Sequence, residues 1–286
     1  MPPLVEFGTG PPLVLIPGVQ GRWEYLQPTI DALARSFRVL TFSLAGERDS
    51  GTAFDPALGM DNYTRQVATT LDRAGVEDAS ICGISFGGLP ALRFAATHPT
   101  RTGGLILVST PGPNWRLRPR HRVYAHVPWL FGPLFLIETP FRLRAELDST
   151  FPDWTLRWRF AAWQLHTLIR APLSPTRMAT RAALIPNMRT LDDCAKITAP
   201  TLVVTGEPGL DHVVPVDATA TYARLIAKAC HVTLDKTGHL GTMTRPETFA
   251  SLVCDFVDHG CARLSAATRK SGTQAPPHRL EDHAPA

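Results

Sequence analysis

The 286-residue sequence predicts an α/β fold, a mostly parallel central sheet flanked by helices, with a helical segment inserted into it. Three observations predict it. Short apolar runs alternate with longer amphipathic stretches. The long stretch between residues 112 and 195 interrupts that rhythm. A glycine-flanked serine sits where one apolar run gives way to a helical pattern.

The apolar runs fall at residues 13–16, 38–42, 79–82, 105–108, 201–205 and 231–234. They are short, branched and not alternating, as parallel strands covered on both faces should be. Helical patterns lie between them at 61–74, 87–97, 217–228 and 246–257, the last with Pro246 at its first position. From 112 to about 195 no clear buried strand is found, and the segment holds five of the six tryptophans. Residues 153–170 read as a helix with Trp154, Trp158, Ala161, Leu165 and Leu168 on one face. Ser174-Pro175 reads as a cap and first-turn proline opening another helix. The parse is therefore a core of residues 1–112 and 195–262, a helical cap at 113–194, and a polar, proline-rich tail at 263–286 expected to be disordered.

Composition narrows the function classes. A hydrophobic fraction of 44% and a charged fraction of 19% are ordinary for a globular chain. A net charge of +4 is too small to argue for nucleic acid. No stretch approaches the roughly 18 apolar residues of a membrane span, and the N-terminus shows no basic stretch followed by an apolar one. Five cysteines with no C-x-x-C pair argue against a disulfide framework or a zinc site, so a reducing cytoplasm is the expected setting. A monomer or homodimer acting on a small molecule is expected.

Gly83-Ile84-Ser85-Phe86-Gly87-Gly88 carries the chemistry. G-x-S-x-G between a strand and a helix is a nucleophile elbow, a turn so tight that its neighbours must be small. A serine hydroxyl needs a base to take its proton. His239, in the loop after the last strand run and before the last helix, is the candidate among ten histidines. The histidine in turn needs a carboxylate to fix its tautomer. Asp211, in the loop after the 201–205 run, is the choice, with Glu207 the runner-up. The order Ser85, Asp211, His239 matches the order this kind of fold requires. The oxyanion needs backbone donors. These are expected to be the N–H of Phe86 and, in the loop Pro17-Gly18-Val19-Gln20-Gly21, the N–H of Val19.

On these motifs the chain resembles the α/β-hydrolase superfamily, in its esterase- or lipase-like form with a helical cap. The resemblance rests on Pro17-Gly18, the elbow, the Pro200…Gly206…Asp211…Pro215 segment, and Gly238-His239 followed by Pro246-Glu247. It implies a triad of Ser85, Asp211 and His239, no metal or other cofactor, and a substrate cleft beneath the cap. Two loops depart from the family pattern. The usual His-Gly of the oxyanion loop is Pro17-Gly18, and the usual Asp-x-Arg-Gly-x-Gly-x-Ser loop reads Ser43-Leu44-Ala45-Gly46-Glu47-Arg48-Asp49-Ser50.

The expected reaction is cleavage of a carboxylic ester through an acyl-enzyme. Thioester, lactone or carbon–carbon bond cleavage would use the same residues. A hydrolase-like protein that binds a ligand with little turnover is the competing class. A serine at the elbow argues against epoxide hydrolase and haloalkane dehalogenase chemistry, which use a carboxylate nucleophile. In the cap, Trp129, Phe131, Trp154 and Trp158 are candidate substrate contacts. The cap's twelve arginines against six acidic residues offer an anionic substrate a basic surface, although such runs are commonly solvated helix faces.

Overall fold

The computed structural model describes residues 4–264. The tail expected to be disordered falls, from residue 265 on, outside the described residues. Seven strands form one sheet in the order β1-β3-β2-β4-β5-β6-β7. They are β1 (Val5–Phe7), β2 (Pro12–Ile16), β3 (Arg38–Thr41), β4 (Ala79–Ile84), β5 (Thr102–Val108), β6 (Thr201–Thr205) and β7 (Ala229–Thr233). All neighbouring pairs are parallel except β1 with β3. The antiparallel edge strand β1, three residues long, is an addition to the strands expected from the sequence.

Both faces of the sheet are covered, which is why its strands carry unbroken apolar runs. Side chains alternate across each strand: Val14 and Ile16 of β2 and Ile81 of β4 enter one core, Leu13, Leu15 and Cys82 the other. The first core is closed by α2 (Asp61–Ala74) and α3 (Gly88–Thr97), the second by α1 (Gln27–Leu33) and α12 (Pro246–His259). α2 has the bounds that its periodicity predicts and stops at Gly75, whose φ of 65° closes the helix in the left-handed region. The helix expected over 217–228 is instead two short ones, α9 (Val216–Ala220) and α10 (Tyr222–Leu225), and it ends early because the chain turns extended at Ile226.

Between β5 and β6 the chain leaves the sheet for five helices: α4 (Pro119–His126), α5 (Pro128–Thr150), α6 (Trp154–Arg170), α7 (Pro175–Leu184) and α8 (Thr190–Cys194). Their ends carry the expected signals. Asp153 caps α6 by accepting from the Thr155 N–H, and Ser174 caps α7 by accepting from the Arg177 N–H with Pro175 next to it. The inward face of α6 differs from the expected one. Phe160 and Trp163 pack against the core, while Trp154, Trp158 and Leu165 point to solvent. After β7 a loop leads through α11 (Gly241–Thr244) into α12.

Cys230 of β7 and Cys261, just beyond α12, form a disulfide with their Cα atoms 5.6 Å apart. The sequence reading, which argues against a disulfide framework, misses this pair. The two lie 31 positions apart in sequence, so no short motif marks the pair. The expectation of a reducing compartment loses the argument it rested on.

The sheet also explains the glycines of the elbow. A Cβ on Gly83 would lie 2.3 Å from the Gly87 carbonyl oxygen, and one on Gly87 would lie 2.4 Å from that of Ile16. These neighbours are backbone and have no side chain to swing away. Gly83→Ala should therefore cost about 2–3 kcal/mol of stability. Gly209→Ala, where a Cβ meets nothing within 4 Å, should change stability by no more than about 0.5 kcal/mol. Urea denaturation of the two variants beside the parent measures both.

Candidate active site

β4 ends at Ile84, and Ser85 takes the turn into α3 with a φ of 53°. A non-glycine residue is strained in that region, and the surrounding backbone contacts hold it there. The turn lifts the hydroxyl off the sheet at its C-terminal edge. The N-terminal end of α3 lies directly behind it, so the positive end of the helix faces the site.

The His239 Nε2 atom stands 3.0 Å from Ser85 Oγ. Its Nδ1 atom stands 3.1 Å from Asp211 Oδ2. The structure thus brings together the three residues that the sequence nominates. Asp211, in the loop after β6, is held by its other oxygen, which accepts the N–H groups of Val213 and Val214 at 2.9 and 3.0 Å. Glu207, the runner-up, is occupied elsewhere: its Oε1 accepts the Lys236 N–H at 2.6 Å and braces the loop that carries His239.

Burial makes His239 less basic, but the charge and hydrogen bond of Asp211, with the charge of Glu146, outweigh it and hold the imidazole above the ordinary histidine range. Burial raises Asp211, but His239 and the two backbone N–H groups more than offset it and keep the carboxyl below its usual range. The pair therefore favours an ionised carboxylate beside an imidazole that readily takes a proton. That is the arrangement a general base requires.

Val19 and Phe86 line the same cavity as Ser85. The Phe86 ring is buried edge-on against Tyr63, with centroids 5.5 Å apart. The Val19 loop turns through a hydrogen bond from the Gly21 N–H to the Gly18 carbonyl. The carbonyl of Val19 accepts from Arg181 Nη1 at 2.9 Å, which orients the peptide units around it.

Arg181, on α7, also reaches the loop at residues 43–50 that departs from the family pattern. Its guanidinium is buried and pairs with the equally buried carboxylate of Glu47, which Arg177 reaches as well at 3.1 Å. Gln66 completes the loop, accepting the Ala45 N–H at 2.9 Å and donating to the Ser43 carbonyl at 2.8 Å. The loop that lacks the family's arginine thus receives one from the inserted helices.

The cavity over Ser85 measures about 150 Å³ and is mainly apolar. The core contributes Val19, Ser85 and Phe86, and the inserted helices contribute Tyr124, Met178 and Ile185. Trp115, His121, Arg142 and His212 also line it. Of the four cap residues proposed to touch substrate, none lines it. Trp129 is 77% exposed, and Trp154 and Trp158 are each 66% exposed. Phe131 stacks on Tyr124, one ring behind the cavity wall. Aromatic spacing marks a helix face but does not say whether the face turns inward. At least six of the segment's twelve arginines are engaged in ion pairs: Arg120 with Glu138, Arg144 and Arg157 with Asp148, Arg177 and Arg181 with Glu47, and Arg189 with Asp192.

Comparison with known proteins gives the family and the fold. A sequence profile described as the alpha/beta hydrolase family matches residues 13–252. The chain belongs to the alpha/beta hydrolase family. It is 28% identical over 266 residues to the 2-hydroxymuconate semialdehyde hydrolase of Pseudomonas sp. (strain CF600), covering 89% of each chain. Its fold is similar to that of the enol-lactonase of Burkholderia xenovorans LB400, with a TM-score of 0.69, 21% identity and coverage of 90% of this chain and 96% of the other. It is also similar in fold to an esterase of Exiguobacterium antarcticum, with a TM-score of 0.68, 18% identity and coverage of 89% and 94%. Among the described residues no helix is long and apolar enough to cross a membrane.

The buried pair gives a stability prediction. Glu47→Ala leaves the Arg181 charge buried without its carboxylate and should cost about 3–5 kcal/mol. Replacing both by apolar residues, Glu47→Leu with Arg181→Met, should recover most of that loss. Denaturation midpoints of the single and double variants give the comparison.

Proposed function

We propose that the protein is a serine hydrolase that cleaves carboxylic esters, with Ser85 as nucleophile, His239 as base and Asp211 as the acid that orients it. The observation that carries this reading is the continuous chain of hydrogen bonds from Ser85 Oγ through His239 to Asp211, opening onto an apolar cavity. His239 takes the Ser85 proton as Oγ attacks the ester carbonyl. The N–H groups of Val19 and Phe86 hold the oxyanion. The intermediate collapses, and the alcohol leaves with the proton from His239. Water, deprotonated by His239, then attacks the acyl-enzyme and releases the acid. The inserted helices serve as the cap over this site.

The cavity is smaller than the roughly 300 Å³ at which drug-sized pockets begin. It therefore suits a compact, mainly apolar acyl group. A second reading, hydrolysis of a semialdehyde substrate, is favoured by the likeness to the Pseudomonas enzyme over 89% of both chains. A panel holding short nitrophenyl esters, long ones and 2-hydroxymuconate semialdehyde separates the two. The ester reading expects turnover of the acetate or butyrate well above that of the palmitate. Turnover of the semialdehyde alone would replace it.

The nucleophile is tested directly by a fluorophosphonate probe, which should label the parent chain and leave Ser85→Ala unlabelled. Asp211→Asn should lower kcat by about 10⁴-fold while the fold survives. The pH dependence has a definite sign. Only neutral His239 can accept a proton, and its environment holds it above the ordinary histidine range. Activity should therefore fall as pH drops through a midpoint above that range. A kcat/KM profile flat across this interval would contradict the assignment of His239.

A further inference from the structure

One buried ionisable group near the site takes no step in the chemistry above, although its charge acts on His239. Glu146 lies on α5, near its C-terminal end, and is fully buried. A carboxylate there gains nothing from the helix dipole, whose negative end is close by. Burying it also costs solvation unless it is well paired. Its partners are the backbone on both sides of His239. The Leu240 N–H donates to both carboxylate oxygens, at 2.9 and 3.0 Å, and the Gly238 N–H is near enough to favour the charged carboxylate. A second anchor lies one turn further along the same helix, where Thr150 Oγ1 donates to the Lys236 carbonyl at 2.7 Å.

We infer that Glu146 is a positioning residue for His239, clamping the loop from Gly238 to Leu240 onto α5 and adding a second negative charge beside the imidazole. The inference rests on the reading of His239 as the base. The clamp sets where the ring stands relative to Ser85 and Asp211. The charge favours the imidazolium that forms when the proton is taken. Two carboxylates act on His239 from different elements: Asp211 from the loop after β6 and Glu146 from α5. His239 and Asp211 act in return on Glu146, whose carboxyl burial raises while the Leu240 and Gly238 N–H groups and His239 lower it, leaving it above its usual range. Its two acceptor oxygens meet donors, as an ionised carboxylate requires.

The test uses the rate of fluorophosphonate labelling of Ser85 across pH, which needs no knowledge of the substrate. Glu146→Gln keeps the shape and removes the charge. Its labelling midpoint should move to lower pH, because a lost negative charge makes the imidazolium easier to deprotonate. Its rate at high pH should fall roughly ten- to hundredfold, because the loop is held less accurately. Glu146→Asp keeps the charge and shortens the reach, and should lose rate at high pH with the midpoint in place. This second variant keeps the test decisive if Glu146→Gln does not fold. Thr150→Val removes the neighbouring anchor without touching a charge, and should lower the melting temperature while leaving the midpoint where it was. The proposal is overturned if Glu146→Gln labels with the parent's midpoint and rate, if Glu146→Asp keeps the full rate, or if Thr150→Val moves the midpoint as far as Glu146→Gln. No labelling of the parent chain would instead remove the nucleophile reading and this inference with it.

Discussion

The contact between Gly87 and the carbonyls of Ile16 and Pro17 sets the geometry on which the site depends. At 2.4 Å and 2.6 Å from where a Cβ would sit, these oxygens leave room only for hydrogen. The contact stacks the turn after β4 on the turn after β2. It brings the hydroxyl of Ser85 and the backbone of Val19 to the same end of neighbouring parallel strands. The strain of Ser85 at a φ of 53° is held by that stacking and by the equally close approach of Gly83 to Gly87 and Gly88. In a sheet whose faces are both buried, the strand ends are where side chains can reach a ligand. Asp211 after β6 and His239 after β7 arrive at the same edge for the same reason.

The charges then follow from burial. Asp211 stays ionised because three donors face it: the His239 ring and the N–H groups of Val213 and Val214. Without them the cost of desolvation would neutralise it. His239 keeps its basicity in a buried position only because carboxylates stand near it. Each group depends on the other, so the loop after β6 and the loop after β7 act as one unit. Glu207 ties them a second time through the Lys236 N–H, which is why the acid nearer the strand end serves as a brace.

Local pattern made much of this legible. G-x-S-x-G is one continuous stretch whose meaning comes from its own backbone. Asp211 and His239 were legible because they follow strand runs in a required order. The inserted helices were legible only as an interruption. Trp154 and Trp158 share a helix face, but that periodicity is equally satisfied with the face turned outward, and Phe160 and Trp163 take the inner side. Cys230 and Cys261 meet only because β7 and the end of α12 lie side by side. The pairing of Glu47 with Arg181 joins positions 134 residues apart, which no local spacing can announce. β1 is too short to carry a pattern of its own.

The same long-range pairs bear on how the inserted helices can move. On one side of the cavity Arg181 is buried against Glu47 and the Val19 carbonyl. On the other, Glu146 and Thr150 are bonded to the loop that carries His239. Swinging the whole segment away as a rigid lid would break both sets and leave Glu47 and Glu146 without their partners. Both sets of bonds would have to be exchanged for water at the same time. Access to Ser85 is more cheaply gained where packing is apolar and charges are absent, along Tyr124, Met178 and Ile185 of the cavity wall. The inserted helices then stay bonded to the loops that carry Val19 and His239, and the packing between α4 and α7 is the softer part of the cavity wall.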